Sequence, residues 1–190
     1  MRVLGPAGLV AAVLHVGTVL AVGSQDSRFW SARHAISDMG MPGKPHQTAM
    51  NIGGLTFPGL LFVAFAWGTF EWLGREPRLG SILLALGGAS FAAAGLFPFP
   101  ARLHFPAVFV ATVGFTVAVW LMGPAIGRRL EIPWIPAVSR LVGLLILGNI
   151  FLTTGLIPAP GYYQKITLAV GMTWLATTAY WMTSSAAIET

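Results

Sequence analysis

Residues 85–105 read ALGGASFAAAGLFPFPARLHF, and sixty positions on, residues 145–165 read LILGNIFLTTGLIPAPGYYQK. Gly88 falls on Gly148, Gly95 on Gly155, Pro98 on Pro158, Pro100 on Pro160 and His104 on Gln164. Each copy is an apolar run, a G-L-x-P-x-P turn and a second apolar run. Proline lacks the amide donor and disfavours helical geometry in the residue before it, so each pair of prolines ends one helix and lets the next begin. The pattern predicts two helical hairpins, over residues 79–122 and 140–182. Because the second run of each starts on the same side, the repeats are parallel, and their turns lie together on one face.

Composition decides where such hairpins sit. Of 190 residues, 55% are apolar and only 9% charged, against about 25% charged in soluble domains. The mean hydropathy is +0.74. A chain of this size cannot bury so much apolar surface internally, whereas lipid accepts it on the outside. The expected class is all-α: a polytopic six-transmembrane-helix bundle, one integral membrane domain over residues 1–190. The spans fall at about residues 5–23, 49–72, 79–97, 104–122, 137–156 and 166–182. Cysteine is absent, which removes disulfides and a thiol nucleophile. The formal charge of +5 is scattered between apolar runs and belongs to the membrane faces, so nucleic acid is not an expected partner.

Six spans put both termini on one side. That side carries Arg2, Arg75, Arg78, Arg128, Arg129 and Arg140; the other carries Arg28, Arg33, Lys44, Arg102 and Lys165. The short arginine-paired loops favour the cytoplasm for the termini, which places the long first loop and the two proline turns outside, in a cell membrane.

That loop, residues 24–48, holds most of the reactive side chains. Its segment FWSARHAISDMG suits a short interfacial helix with Phe29, Trp30 and Ile36 toward acyl chains. In a helical turn His34 and Asp38 share a face, the spacing of an oriented histidine, of two metal ligands or of an ordinary surface pair. Asn51 opens the second span at the same face, and His104 opens the fourth. The catalytic candidates are therefore His34, Ser37, Asp38 and His104, and the metal-ligand candidates His34, Asp38, His46 and His104. Asn51, Gly95, Pro98 and Asn149 are expected as structural or pocket-lining positions, since amides and small residues join membrane helices. His15 lies mid-span, where a neutral ring bonded to a neighbouring helix is the plain reading.

Ser37 and Gly40, Asn51, the G95-L-F-P98 turn and His104 together resemble the prokaryotic membrane proteins grouped as domain of unknown function 998. The resemblance covers nearly the whole chain and implies a six-span bundle with these residues on one external face. Many relatives carry an acidic residue between the proline and the histidine, where this chain has Phe99, Pro100, Ala101, Arg102 and Leu103. The resemblance implies no established reaction.

Three functions fit these residues. The first is a non-catalytic accessory or assembly subunit that binds lipid, with a membrane protein or a second copy as partner. The second is a lipid hydrolase or other lipid-modifying enzyme at the outer headgroup level. In it zinc would be held by His34, Asp38, His46 and His104, with Ser37 helping to polarise the attacking water. The third is a small-solute transporter, against which stands the lack of a charged path: His15 and Asn149 are isolated. A bound lipid and zinc are the two cofactors these readings invoke.

Overall fold

A computed structural model describes residues 4–29, 32–153 and 159–188. Among them are six α-helices: α1 Gly5–Gly23, α2 Phe57–Leu73, α3 Arg78–Leu96, α4 His104–Leu130, α5 Ile135–Leu147 and α6 Pro160–Ile188. A π-helical stretch, Ala49–Thr56, runs straight into α2, and a 3-10 stretch, Gly148–Thr153, continues α5. The chain is an all-α membrane-spanning protein. Four helices among the described residues have the length and apolarity to cross a bilayer: α1, the joined 49–73 segment, α3 and α4; α5 with its extension is shorter.

Prolines start several of these helices, occupying first-turn positions whose N–H has no helical partner in any case. In chain order each helix packs on the next and α6 returns to α1, closing a ring; α3 and α4 share the broadest contact and α5 and α6 the narrowest of the consecutive pairs. The α2–α3 crossing depends on glycine. A Cβ on Gly59 would stand 2.6 Å from the Gly88 carbonyl oxygen, so the two backbones touch directly. Leu9, Val13, Leu60, Trp67, Leu86 and Leu144 are exposed, as lipid-facing side chains are.

Two boundaries differ from the sequence reading. Residues 124–130 continue α4 instead of forming a loop, with Pro124 inside the helix. The extension carries Arg128 and Arg129 into the last turn, where cations complement the helix dipole. It also brings Arg128 to 2.7 Å from Glu76 and Arg129 over the Trp72 ring. The second difference is the first loop, where the described residues of that segment form a 3-10 turn, Ile36–Gly40, in place of an interfacial helix. Phe29 and Ile36 do not face acyl chains; both are buried in a small cluster with Val19, Val22, Met39, Met50 and Leu55. The apolar residues of the loop pack down on the ends of α1 and the π-helical stretch because that removes them from headgroup water. Trp30, Gly155 and Pro158 lie outside the described residues, as do Arg2 and Leu156.

Candidate functional site

The first loop is fastened at both ends of its 3-10 turn. Asn51 is buried, and its Nδ2 donates to the Gly40 carbonyl at 2.8 Å. On the other side the Ile36 N–H donates to Gln164 Oε1 at 2.5 Å, and the Gly161 N–H to the Ala32 carbonyl at 2.7 Å. Lys165 Nζ donates to the carbonyls of His34 and Gly161, and lies over the Phe29 ring. Burial holds the Lys165 ammonium below its ordinary pKa, with the Asp38 charge opposing that shift. Asp38 bonds locally, accepting the Ala35 N–H through Oδ2 at 2.9 Å. That local bond favours a tight turn over a regular helix, so His34 and Asp38 do not share a helix face.

Beneath this turn is a cavity of about 570 Å³ enclosed by the loop, α3, α4, α6 and the 3-10 extension of α5. Its volume is that of a single-ligand pocket. Ser37 and Asp38 line its upper end with His104, Gln164 and Asn149; Phe62, Phe91, Phe115 and Met172 line its depth. Phe105 and Phe109 belong to its wall and are also 49% and 52% exposed. The cavity therefore reaches the outer, lipid-facing surface of α4.

The walls on α4 and α6 repeat each other. His104, Val108 and Thr112 line the cavity at helical spacing on one, and Gln164, Leu168 and Met172, each sixty positions later, line it on the other.

His104 is 3% exposed. Its Nδ1 faces two carbonyl oxygens, those of Ala94 at 3.1 Å and Phe97 at 3.0 Å. Only an N–H satisfies a carbonyl, so Nδ1 carries a proton, and in the uncharged tautomer Nε2 is an acceptor. The ring thereby closes the α3–α4 turn and presents one nitrogen to the cavity. His15 makes a similar inter-helix bond, through Nδ1 to the Gly54 carbonyl at 2.6 Å, inside the π-helical stretch.

Of the sequence-nominated residues, Ser37, Asp38, His104 and Asn149 share the cavity wall. Asn149 is committed there: it donates to the Ile146 carbonyl and exchanges hydrogen bonds with Thr167. Asn51, Gly95 and Pro98 lie outside the lining. Gly95 packs against Asn51 O and Thr56 Oγ1, contacts that leave no space for a Cβ, and Pro98 accepts the Ala101 N–H in the turn. His34 and His46 also fall outside the lining. His34 Nδ1 is buried without a partner, while the His46 carbonyl starts the π-helical stretch by accepting the Met50 N–H. Among the described residues no three histidine, aspartate or glutamate side chains converge. Gln164 and Thr112 were not nominated from sequence. The repeat itself held the signal for Gln164, which falls on His104 at the sixty-residue offset.

The family described as "Protein of unknown function (DUF998)" matches residues 9–181. No curated protein and no solved structure matches the chain.

Proposed function

The chain belongs to the DUF998 family, and on that premise we propose that it is a non-catalytic membrane subunit that binds a lipid molecule in the cavity between α4 and α6. The observation that carries this reading is the cavity's gradient: polar at the loop end, aromatic and aliphatic in its depth, and bordered by half-exposed Phe105 and Phe109. A lipid has that polarity profile and enters from the side. Asn149, Thr167 and Lys165 support binding over chemistry, because they are spent on holding the loop and helices in place.

The reading takes the chain as one domain of six spans, with α5 plus its extension and α6 as the last two, both termini cytoplasmic, and hairpins 79–122 and 140–182 as parallel repeats. The matched cavity positions on α4 and α6 favour that repeat. Its pseudo-twofold axis would pass through the cavity along the membrane normal. The accessory role extends to a membrane-protein partner or a second copy.

Lipid extracted from the purified protein and identified by mass spectrometry tests the proposal. Thr112 lines the cavity from α4, so Thr112→Trp should fill it and abolish the retained lipid at an unchanged unfolding temperature. Equal lipid on both proteins would sink the binding reading. Conversion of the retained lipid by the native protein would replace the non-catalytic role with the hydrolase, and loss of that turnover on chelation would bring zinc with it.

A further inference from the structure

Four side chains at the polar end of the cavity each keep a hydrogen-bonding position that the fold does not use. Asp38 spends Oδ2 on the Ala35 N–H and keeps Oδ1. His104 spends Nδ1 on two carbonyls and keeps Nε2. Gln164 spends Oε1 on Ile36 and keeps its amide NH2, while the Ser37 hydroxyl makes no hydrogen bond among the described residues. The set holds two pure acceptors, one pure donor and one group that is both. A ligand seated against these lining positions gains by pairing them, so the ligand that suits this set donates as well as accepts.

Charge narrows the choice. A phosphate donates little at neutral pH and would meet the Asp38 carboxylate and the lone pair of His104 Nε2. The Lys165 ammonium that might have offset this is turned to the carbonyls of His34 and Gly161. Arg33, the cation among the lining residues, is exposed and already engaged in an interaction. A hydroxyl both donates and accepts without adding negative charge: it donates to Asp38 Oδ1 or His104 Nε2 and accepts from Gln164 and Ser37.

We propose that this cavity selects lipids whose head is an uncharged hydroxyl, such as mono- or diacylglycerol, over lipids of the same chains that carry a phosphate. The claim rests on the lipid-binding reading and adds the head to it.

The purified protein, delipidated in detergent, is titrated with diacylglycerol, phosphatidic acid, phosphatidylglycerol and phosphatidylethanolamine of identical acyl chains, with bound lipid counted by native mass spectrometry. Diacylglycerol should bind about tenfold more tightly than any of the three phospholipids, the scale of one hydrogen bond to a charged group. Asp38→Asn keeps an acceptor for Ala35 and removes the charge; it should weaken diacylglycerol about tenfold and strengthen phosphatidic acid. Ser37→Ala, which breaks no bond of the fold, should weaken diacylglycerol about threefold with the unfolding temperature unchanged. Equal or tighter binding of any phospholipid by the native protein overturns the head selectivity and leaves lipid binding standing. So does an undiminished diacylglycerol affinity in both variants. No binding of any of the four lipids, with Thr112→Trp also without effect, overturns the lipid-binding reading and this inference with it.

Discussion

At the scale of single residues the polar groups of this bundle act mainly as fasteners. Asn51 is the clearest: its amide holds the Gly40 carbonyl and is 5% exposed. Asn51→Leu conserves bulk and leaves that carbonyl without its donor, which should cost about 1 kcal/mol. The expected readout is faster trypsin cleavage in the first loop, at Arg33, and an unchanged cleavage rate would remove the fastening role. The Asp26–Arg28 pair is the counterexample. Its hydrogen bonds and charge hold the Asp26 carboxyl below the ordinary range, yet the arginine is solvent-exposed, and exposed ion pairs contribute little. Since Asp26 has a depressed pKa, any stability from it is present above the unfolded value and lost as pH falls through the folded one. Asp26→Asn should leave the unfolding temperature unchanged at neutral pH; a clear drop would mean that the pair clamps the start of the loop.

At the scale of elements the helices are held by backbone approach and by a few cross-helix bonds. Gly59 and Gly17 make a matched comparison. Gly59 faces the α3 backbone with no space for a Cβ, whereas a Cβ on Gly17 would meet nothing within 4 Å. Gly59→Leu should separate α2 from α3 and abolish monodisperse protein in size-exclusion chromatography. Gly17→Ala should be neutral or stabilising by up to about 1 kcal/mol, because alanine restricts the unfolded backbone more than glycine does. If both substitutions behave alike in thermal unfolding, close approach at the α2–α3 crossing is not what sets the packing. The short α5 reflects the same economy. Its regular helix ends at Leu147, and the Tyr163 hydroxyl reaches the Leu145 carbonyl at 2.6 Å, giving that carbonyl a partner from α6 where α5 passes into its 3-10 extension.

At the scale of the whole molecule, thiol labelling tests which membrane face the loop and cavity occupy. The chain has no cysteine, so one introduced thiol reports alone. Arg28, on the loop face, and Arg128, at the far end of α4, are both exposed at the side chain. In intact cells an impermeant thiol reagent should label Arg28→Cys and spare Arg128→Cys. The opposite pattern would put the cavity mouth in the cytoplasm. The charge distribution supports the first outcome, because Arg75, Arg78, Arg128 and Arg129 crowd the end that also holds the Arg128–Glu76 bridge.

Sequence alone determined the class and the helices. Helix placement follows from local hydrophobicity and from proline and glycine, and those signals are written residue by residue: the runs at about 5–23, 49–72, 79–97 and 104–122 needed no tertiary information. It also placed Ser37, Asp38 and His104 on one membrane face, since each adjoins the end of an apolar run. Tertiary structure decided the rest. Whether Pro124 breaks α4 depends on what surrounds it, and whether Phe29 and Ile36 face lipid or core depends on where the loop lands. The partition of the polar groups was equally invisible. Asn51 became a strut and His104 a cavity wall because of which carbonyls lie opposite each, and those carbonyls come from residues 11, 10 and 7 positions away in sequence. Gln164 reached the cavity through a contact with Ile36 across 128 positions. Burial and partnership are properties of pairs distant along the chain, so no local pattern encodes them.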